Sequence, residues 1–153
     1  MMTVNLAFDW LEMLERAQLE IAVKLKEEGV AAAGEEIEKA CSRVSGIPFA
    51  LIRHYPSETL FELMRRGANA EERCLVLAEL LMQYAELCQG EGRIADATGG
   101  NLQAHGLISA SLGVLKPEQQ AAYRAKLNVL AEKLSPFADD PYVKGRLAAA
   151  TRS

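Results

Sequence analysis

The residues most able to do chemistry in this sequence are its cysteines, its two histidines and the glutamates of one apolar segment. Cys74 and Cys88 fall on the same predicted helix, so a rise of about 1.5 Å per residue separates them by roughly 21 Å. They therefore cannot share a metal ion or form an intramolecular disulfide. Neither His54 nor His105 has a glutamate three positions before it, as carboxylate-bridged metal bundles require. We predict no metal site and no cofactor.

Nucleophilic catalysis would need a thiol or imidazole that a neighbour activates. Cys88 and His105 are the pair that a helical hairpin could bring together. Cys88, however, lies near the end of its predicted helix, where the helix dipole opposes a thiolate. Buried structural cysteines are the favoured interpretation, and the odd number left by Cys41 indicates reduced thiols in a cytoplasm. No catalytic residue is predicted.

Two short patterns match ligand-binding motifs in spacing alone. Residues 90–95 fit the dinucleotide-binding glycine fingerprint, but they follow a helix instead of a strand and place Glu91 where phosphate would bind. Residues 58–89 have helix-turn-helix spacing, but the second helix presents mostly leucine where a recognition helix needs polar side chains. With a net charge of −4 and a pI near 5.3, neither nucleic acid nor a membrane is expected as a partner.

The cysteines, histidines and glutamates discussed above are predicted to lie on helices or between them. Apolar side chains recur at spacings of three and four, and no stretch alternates between apolar and polar residues as a strand would. The first helix carries an apolar stripe from Trp10 to Leu25 and ends at Gly29. Gly46, Pro48 and Ser57 separate the elements that follow, with Ser57 predicted as a helix cap. The predicted helices before the central segment cover residues 10–28, 34–44, 48–54 and 58–66.

The helix over residues 70–89 is predicted to be central. Asn69 is expected to cap it, with Glu72 completing a capping box. Its polar residues fall on one narrow stripe, and the rest is almost entirely apolar, a far wider apolar arc than a surface helix needs. We expect neighbours on most sides and one solvated edge. The stripe consists of Glu72, Glu79, Gln83 and Glu86.

Glycines then predict a break over residues 90–100, after which Asn101 caps a helix that runs to about residue 115. Small residues lie four and three apart on this helix, at Gly106, Ala110 and Gly113, so another helix backbone is expected to approach closely. Pro117 begins the next helix, which ends at residues 135–136. A short terminal helix is predicted over residues 140–149.

The composition fits one folded domain that covers residues 1–153. Half of the residues are hydrophobic and a quarter are charged, the balance of an ordinary globular protein. Asp9, Glu12 and Glu15 interrupt the apolar N-terminus, which argues against a signal peptide, and no apolar run reaches membrane-spanning length. We predict a soluble cytoplasmic protein of all-α class, a compact bundle of six to eight helices.

Two resemblances refine this prediction. Leu77, Leu81 and Tyr84 follow the first-helix spacing of a tetratricopeptide hairpin, and Ala104, Ile108 and Ser111 follow its second-helix spacing, with about ten extra residues between the helices. In addition, the stretch ETLFELMRRGANAEERCLVLAELLMQYAEL resembles the central segment of an uncharacterised bacterial all-helical family. That resemblance implies a tetratricopeptide-like C-terminal half and no assigned activity.

Wide apolar faces, small-residue packing and the missing catalytic motifs favour a non-catalytic protein-interaction or assembly module, for which a homodimer is one form. The expected contact surface is the first helix, through Phe8, Trp10 and Met13. A second expected surface is a groove beside the C-terminal hairpin, near Tyr84 and His105. The alternative is a small-ligand-binding or enzymatic domain whose pocket lies between helices and leaves no local motif.

Overall fold

A computed structural model describes residues 9–137, 139–141 and 143–144. These residues form seven α-helices and two short 3-10 helices, without a strand among them. The predicted all-α class and helix number are therefore confirmed. The α-helices are α1 (Trp10–Glu28), α2 (Val30–Ser45), α3 (Phe49–Ile52), α4 (Ser57–Met64), α5 (Ala70–Gly90), α6 (Ile94–Ser111) and α7 (Pro117–Leu134); the 3-10 helices are Leu112–Val114 and Ser135–Phe137.

Helix α5 forms the centre of the core. Every residue from 74 to 81 is buried, which is more than two helical turns with all faces covered. Helices α1, α2, α4 and α6 all pack against it. A helix that is apolar nearly all round is stable in water only when neighbours cover it, and the composition of this segment therefore dictates the arrangement of the bundle.

The prediction that the polar stripe of α5 is exposed to solvent is wrong at Glu79. Glu79 is 8% exposed, because α7 lies over it and supplies the groups that pair its carboxylate. The Tyr123 hydroxyl donates to Glu79 Oε2 at 3.0 Å, and Lys126 Nζ donates to both carboxylate oxygens at 2.9 and 3.0 Å. The stripe is a polar contact between helices at Glu79 and becomes exposed only at Glu86.

The predicted break over residues 90–100 is also wrong, because α6 begins at Ile94 and three residues connect it to α5. Asn101 consequently lies inside α6 and caps nothing. The glycines serve packing instead: a Cβ on Gly100 would lie 3.2 Å from the Leu81 carbonyl oxygen and 3.4 Å from the Ala85 Cβ. Glycine at this position lets the two helix backbones come close together.

Another helix does approach α6 closely at one of the three small residues for which this was predicted. A Cβ on Gly106 would clash with Ser57 Oγ at the start of α4. Ala110 is exposed, and Gly113 lies in the 3-10 helix with open space around it. At Gly106, therefore, the residue that comes close to α6 is Ser57, the first residue of α4.

Helix boundaries follow the glycines more closely than the predicted polar caps. Gly29 has a φ of 97° and its N–H bonds to the carbonyls of Lys24 and Leu25, so α1 ends there as predicted. The same glycine directly precedes α2, which therefore begins at Val30 instead of residue 34. Neither Asn69 nor Ser57 caps a helix through its side chain. Most of the predicted terminal helix lies outside the described residues.

Truncation of Leu77 tests the central position of α5. Leu77 is fully buried, so Leu77→Ala removes apolar contacts on a helix that cannot shift to fill the space. The free energy of unfolding should fall by about 3 kcal/mol. Val129→Ala on α7, where the side chain is 46% exposed, should change it by less than about 0.5 kcal/mol. Urea unfolding of both variants measures the difference, and equal stabilities would contradict the placement.

Candidate functional site

The first helix was the predicted contact surface, and the structure places its three named residues differently. Phe8 lies outside the described residues. Trp10 is 9% exposed and its ring packs against Tyr123 with centroids 6.0 Å apart, so it anchors α1 to α7. Met13 is partly buried against the core. The core-facing side of α1 is thus largely used for folding.

Met13 lines an open groove of about 650 Å³ between α1, α2 and α5. The floor is apolar, and the rim carries charges of both signs. Arg16 pairs with Glu12 at 2.8 Å, and Arg43 lies 3.9 Å from Glu20. These pairs neutralise much of the rim charge. The lining residues are Asp9, Glu12, Met13, Arg16, Ala17, Glu20, Ala40, Arg43, Val44, Val76 and Leu80.

A second face of α1 is apolar and exposed. Nine large hydrophobic side chains are exposed in the described part of the chain, and five of them lie between residues 11 and 30. Leu19 is the most exposed of all, at 66%. Four of the five lie on α1 and the fifth begins α2. Such clustering is a feature of interaction surfaces, whereas scattered exposed leucines are ordinary. The five are Leu11, Leu19, Val23, Leu25 and Val30.

We define the α1 outer stripe as Leu11, Glu15, Leu19, Ala22 and Lys26, all of which are exposed. Their spacings of four, four, three and four place them on one side of the helix. Glu15 and Lys26 make no ion pair within the described residues. The spacing of this stripe is visible in the sequence, but the prediction of a contact surface was based on the apolar residues of α1 that face the core.

Tyr84 and His105, which were predicted to lie beside one groove, do not line a common cleft in the structure. Tyr84 lines a small cleft of about 90 Å³ and packs edge-on against Phe49, with ring centroids 5.0 Å apart. Its hydroxyl accepts a hydrogen bond from Arg93 at 3.0 Å. Burial raises the pKa of Tyr84 to about 12, so the phenol stays protonated near neutral pH.

His105 is buried and does not line that cleft. Gly100 sits against Leu81, and His105 is five residues further along α6, about 7.5 Å along the axis. Gly100 also lies against Tyr84 and Ala85, so Cys88 lies three to seven residues away in the opposite direction. Cys88 and His105 are therefore roughly 12 to 18 Å apart along the hairpin. The hairpin does not bring the thiol and the imidazole together.

Ion pairs close the turn between α5 and α6. Asp96 receives hydrogen bonds from Arg93 at 3.1 Å and from Arg53 at 2.6 Å. Arg93 also pairs with Glu91 at 3.1 Å. The two guanidinium groups are therefore already matched with carboxylates, and the cluster joins the end of α3 to the hairpin instead of presenting free cations to an anion.

All three cysteines are reduced and buried. Burial raises the pKa of the Cys74 thiol to about 12, and it also raises the pKa of Cys41 and of Cys88. The thiols are therefore protonated near neutral pH, the unreactive form. Within the described ranges, no three His, Cys, Asp or Glu side chains come close enough to hold a metal ion, and none of the helices has the length and apolarity that crossing a bilayer requires.

A further cleft of about 330 Å³ lies where α5, α6, α7 and the Ser135–Phe137 turn meet. Four of its nine lining residues are apolar, most of its exposed surface comes from apolar atoms, and Asn101 of α6 contributes an amide. Asn101 is 9% exposed, and its Oδ1 has no hydrogen-bond partner in the described part of the chain. Sequence reasoning missed this cleft because it interpreted Asn101 as a cap. The lining residues are Ala85, Glu86, Gln89, Ile94, Thr98, Asn101, Lys133, Pro136 and Phe137.

Comparisons with protein-family models, with curated proteins and with solved structures each find no match to this chain. Function is therefore inferred from the geometry of its own residues.

Burial of His105 gives a testable pH dependence. Loss of solvation lowers the pKa of His105 in the folded state below the ordinary value of 6.5. As pH falls below about 6.5, the unfolded chain takes up this proton before the folded chain does, so the free energy of unfolding decreases. This contribution is fully present above pH 6.5 and is lost on acidification.

His105→Gln should make that decrease shallower between about pH 7.5 and pH 5, because the buried imidazole is gone. His54→Gln is the matched control, since His54 is exposed, and it should keep the contribution of His105. Denaturant unfolding at several pH values measures both slopes. A slope that His105→Gln leaves unchanged would show that the imidazole is not desolvated.

Proposed function

We propose that this chain is a non-catalytic assembly module that forms a homodimer through the α1 outer stripe. The observation that carries the proposal is that the stripe is complementary to itself. In an antiparallel pair, Leu19 of one copy faces Ala22 of the second copy, and Glu15 faces Lys26.

A two-fold axis makes each of these contacts twice, as closed dimers require. Apolar residues meet apolar residues in the middle, and unlike charges meet on either side of them. Glu15 and Lys26 make no ion pair within the described residues, so both can form this contact. Burial of several large apolar side chains supplies the main stabilisation, while the ion pairs determine the register and the antiparallel direction.

We also propose a type for the α5–α6 hairpin, a family for the chain and a cellular location. The α5–α6 hairpin is proposed as a degenerate tetratricopeptide unit, in which a short three-residue turn replaces the expected long break. Membership of an uncharacterised bacterial all-helical family is proposed for the chain. A cytoplasmic location is proposed on the basis of three reduced, buried thiols. These proposals are compatible with an interaction module and do not depend on the dimer.

A charge exchange tests the dimer register. Glu15→Lys and Lys26→Glu should each weaken association by about 1 kcal/mol, roughly fivefold, because each change places like charges opposite one another at two positions. The double variant Glu15→Lys/Lys26→Glu should recover the affinity of the unmodified chain. Light scattering after size-exclusion chromatography over a concentration series measures the monomer–dimer equilibrium.

Leu19→Glu should shift the equilibrium to monomer at all accessible concentrations, while Val129→Glu, at an exposed position on α7, should leave it unchanged. A monomeric unmodified chain at high concentration would reject the proposal. A dimer that tolerates Leu19→Glu would place the interface on another surface.

A further inference from the structure

Helix α7 is held to the bundle by few apolar contacts. Three of its 18 residues are buried, whereas α5 buries twelve of 21 and α6 buries nine of 18. Tyr123 and Leu130 reach the main core, while Leu134 belongs to a separate small cluster with Leu102. Because apolar burial is the main term that keeps a helix docked, α7 should open at a lower cost in free energy than α5 or α6.

The contact between α7 and the central helix is polar. We define the α7 latch as Glu79, Tyr123 and Lys126, which are joined by three hydrogen bonds of 2.9 to 3.0 Å. Glu79 is buried, and the side chain of Lys126 is 38% exposed. The closed form depends on Lys126, because a buried carboxylate without its cation is costly. In an open form water would solvate both charges, so the separation of α7 from α5 leaves no charge buried and unpaired.

The connection from α6 to α7 is suited to act as a hinge. It consists of the 3-10 helix Leu112–Val114 and two residues in extended conformations, Leu115 and Lys116. No neighbouring atom lies within 4 Å of the position that a Cβ would take on Gly113, so the backbone is not wedged there. Hinges are short segments of this kind, in which a few residues absorb the change in backbone dihedral angles.

We propose that α7 is a lid that opens as one unit about residues 112–116, and that the α7 latch holds it closed. Opening uncovers the Glu79 carboxylate on α5 and the Trp10 ring, whose centroid lies 6.0 Å from that of Tyr123. Both groups are buried in the closed form, so a partner could reach them only after the latch is released. The lid does not depend on the proposed dimer, whose stripe does not include Trp10.

Native-state hydrogen exchange of the full chain, followed by NMR spectroscopy in increasing urea, tests the lid. Amides of residues 121–134 should share one opening free energy, which is smaller than that of residues 74–81 and less sensitive to urea. Equal opening free energies and urea sensitivities for the two segments would overturn the proposal, because α7 would then open only when the whole chain unfolds. Opening free energies that rise steadily from one end of α7 would also overturn it, since they indicate fraying.

Two lysine variants on α7 test the latch. Lys126→Met leaves Glu79 buried without its cation, so the opening constant of α7 should rise by about tenfold or more. Lys133→Met is the matched control, because Lys133 is exposed on the same helix, and it should change the constant by less than about threefold. Equal effects of the two variants would show that the ion pair does not hold the lid closed.

The double variant Glu79→Gln/Lys126→Met separates the charge of the contact from its shape. Glutamine leaves no charge buried, and its carbonyl can still accept a hydrogen bond from Tyr123. The opening constant should therefore return to within about threefold of that of the unmodified chain. A double variant that opens as readily as Lys126→Met would contradict the role assigned to the charge.

The lid and the dimer can be tested separately. Residues 121–134 should exchange in Leu19→Glu as they do in the unmodified chain, so a failure of the dimer proposal leaves the test of the lid intact. Should Lys126→Met fail to fold, exchange in the unmodified chain still decides whether α7 opens as one unit.

Discussion

Helix α5 has no solvent-facing side over residues 74–81, and the positions of the surrounding helices follow from this constraint. A segment with leucine, valine, alanine and cysteine on every face gains apolar burial in all directions. The chain must therefore return around it repeatedly. Its polar groups also contact neighbours: Arg73 donates to the carbonyls of Val44 and Ser45 at 2.9 and 3.3 Å and so pairs the last carbonyls of α2.

Glu79 shows how a charged residue is accommodated in such a helix. A buried carboxylate is costly unless it is paired and hydrogen-bonded. Tyr123 and Lys126 supply three hydrogen bonds from α7. Burial and the nearby Glu79 carboxylate both raise the pKa of Tyr123, which keeps the phenol a donor. This polar contact specifies where α7 crosses α5, a position that apolar packing alone would leave less defined.

Once the inner faces are occupied by the core, the groove beside Met13 and two further features of the described surface remain unused by folding. One is the α1 outer stripe, whose apolar residues cover nothing within the chain. The other is the cleft at Asn101, which forms because α7 and the turn that follows it do not fully close over the α5–α6 hairpin. None of the buried thiols and neither histidine lies among the residues of the stripe or the lining residues of the cleft.

Local signals in the sequence predicted several elements correctly, because their physical causes are local. Gly29 ends α1, Pro117 begins α7, and the composition of residues 70–89 indicates a central helix. The errors arose where tertiary contacts decide. Gly100 resembles a loop residue in the sequence but serves the close packing of α5 against α6, and the burial of Glu79 depends on residues 44 and 47 positions away. Asn101 could not be recognised as a cleft residue until α6 was known to begin before it.

Native-state hydrogen exchange measures the central role of α5 most directly. Amides of residues 74–81 should exchange only through global unfolding, with an opening free energy equal to that of the whole chain and the same sensitivity to denaturant. Amides on α1 near the outer stripe should exchange through smaller, local openings. If the α5 amides instead exchange with lower opening free energies than those of α1, the bundle is not organised around α5.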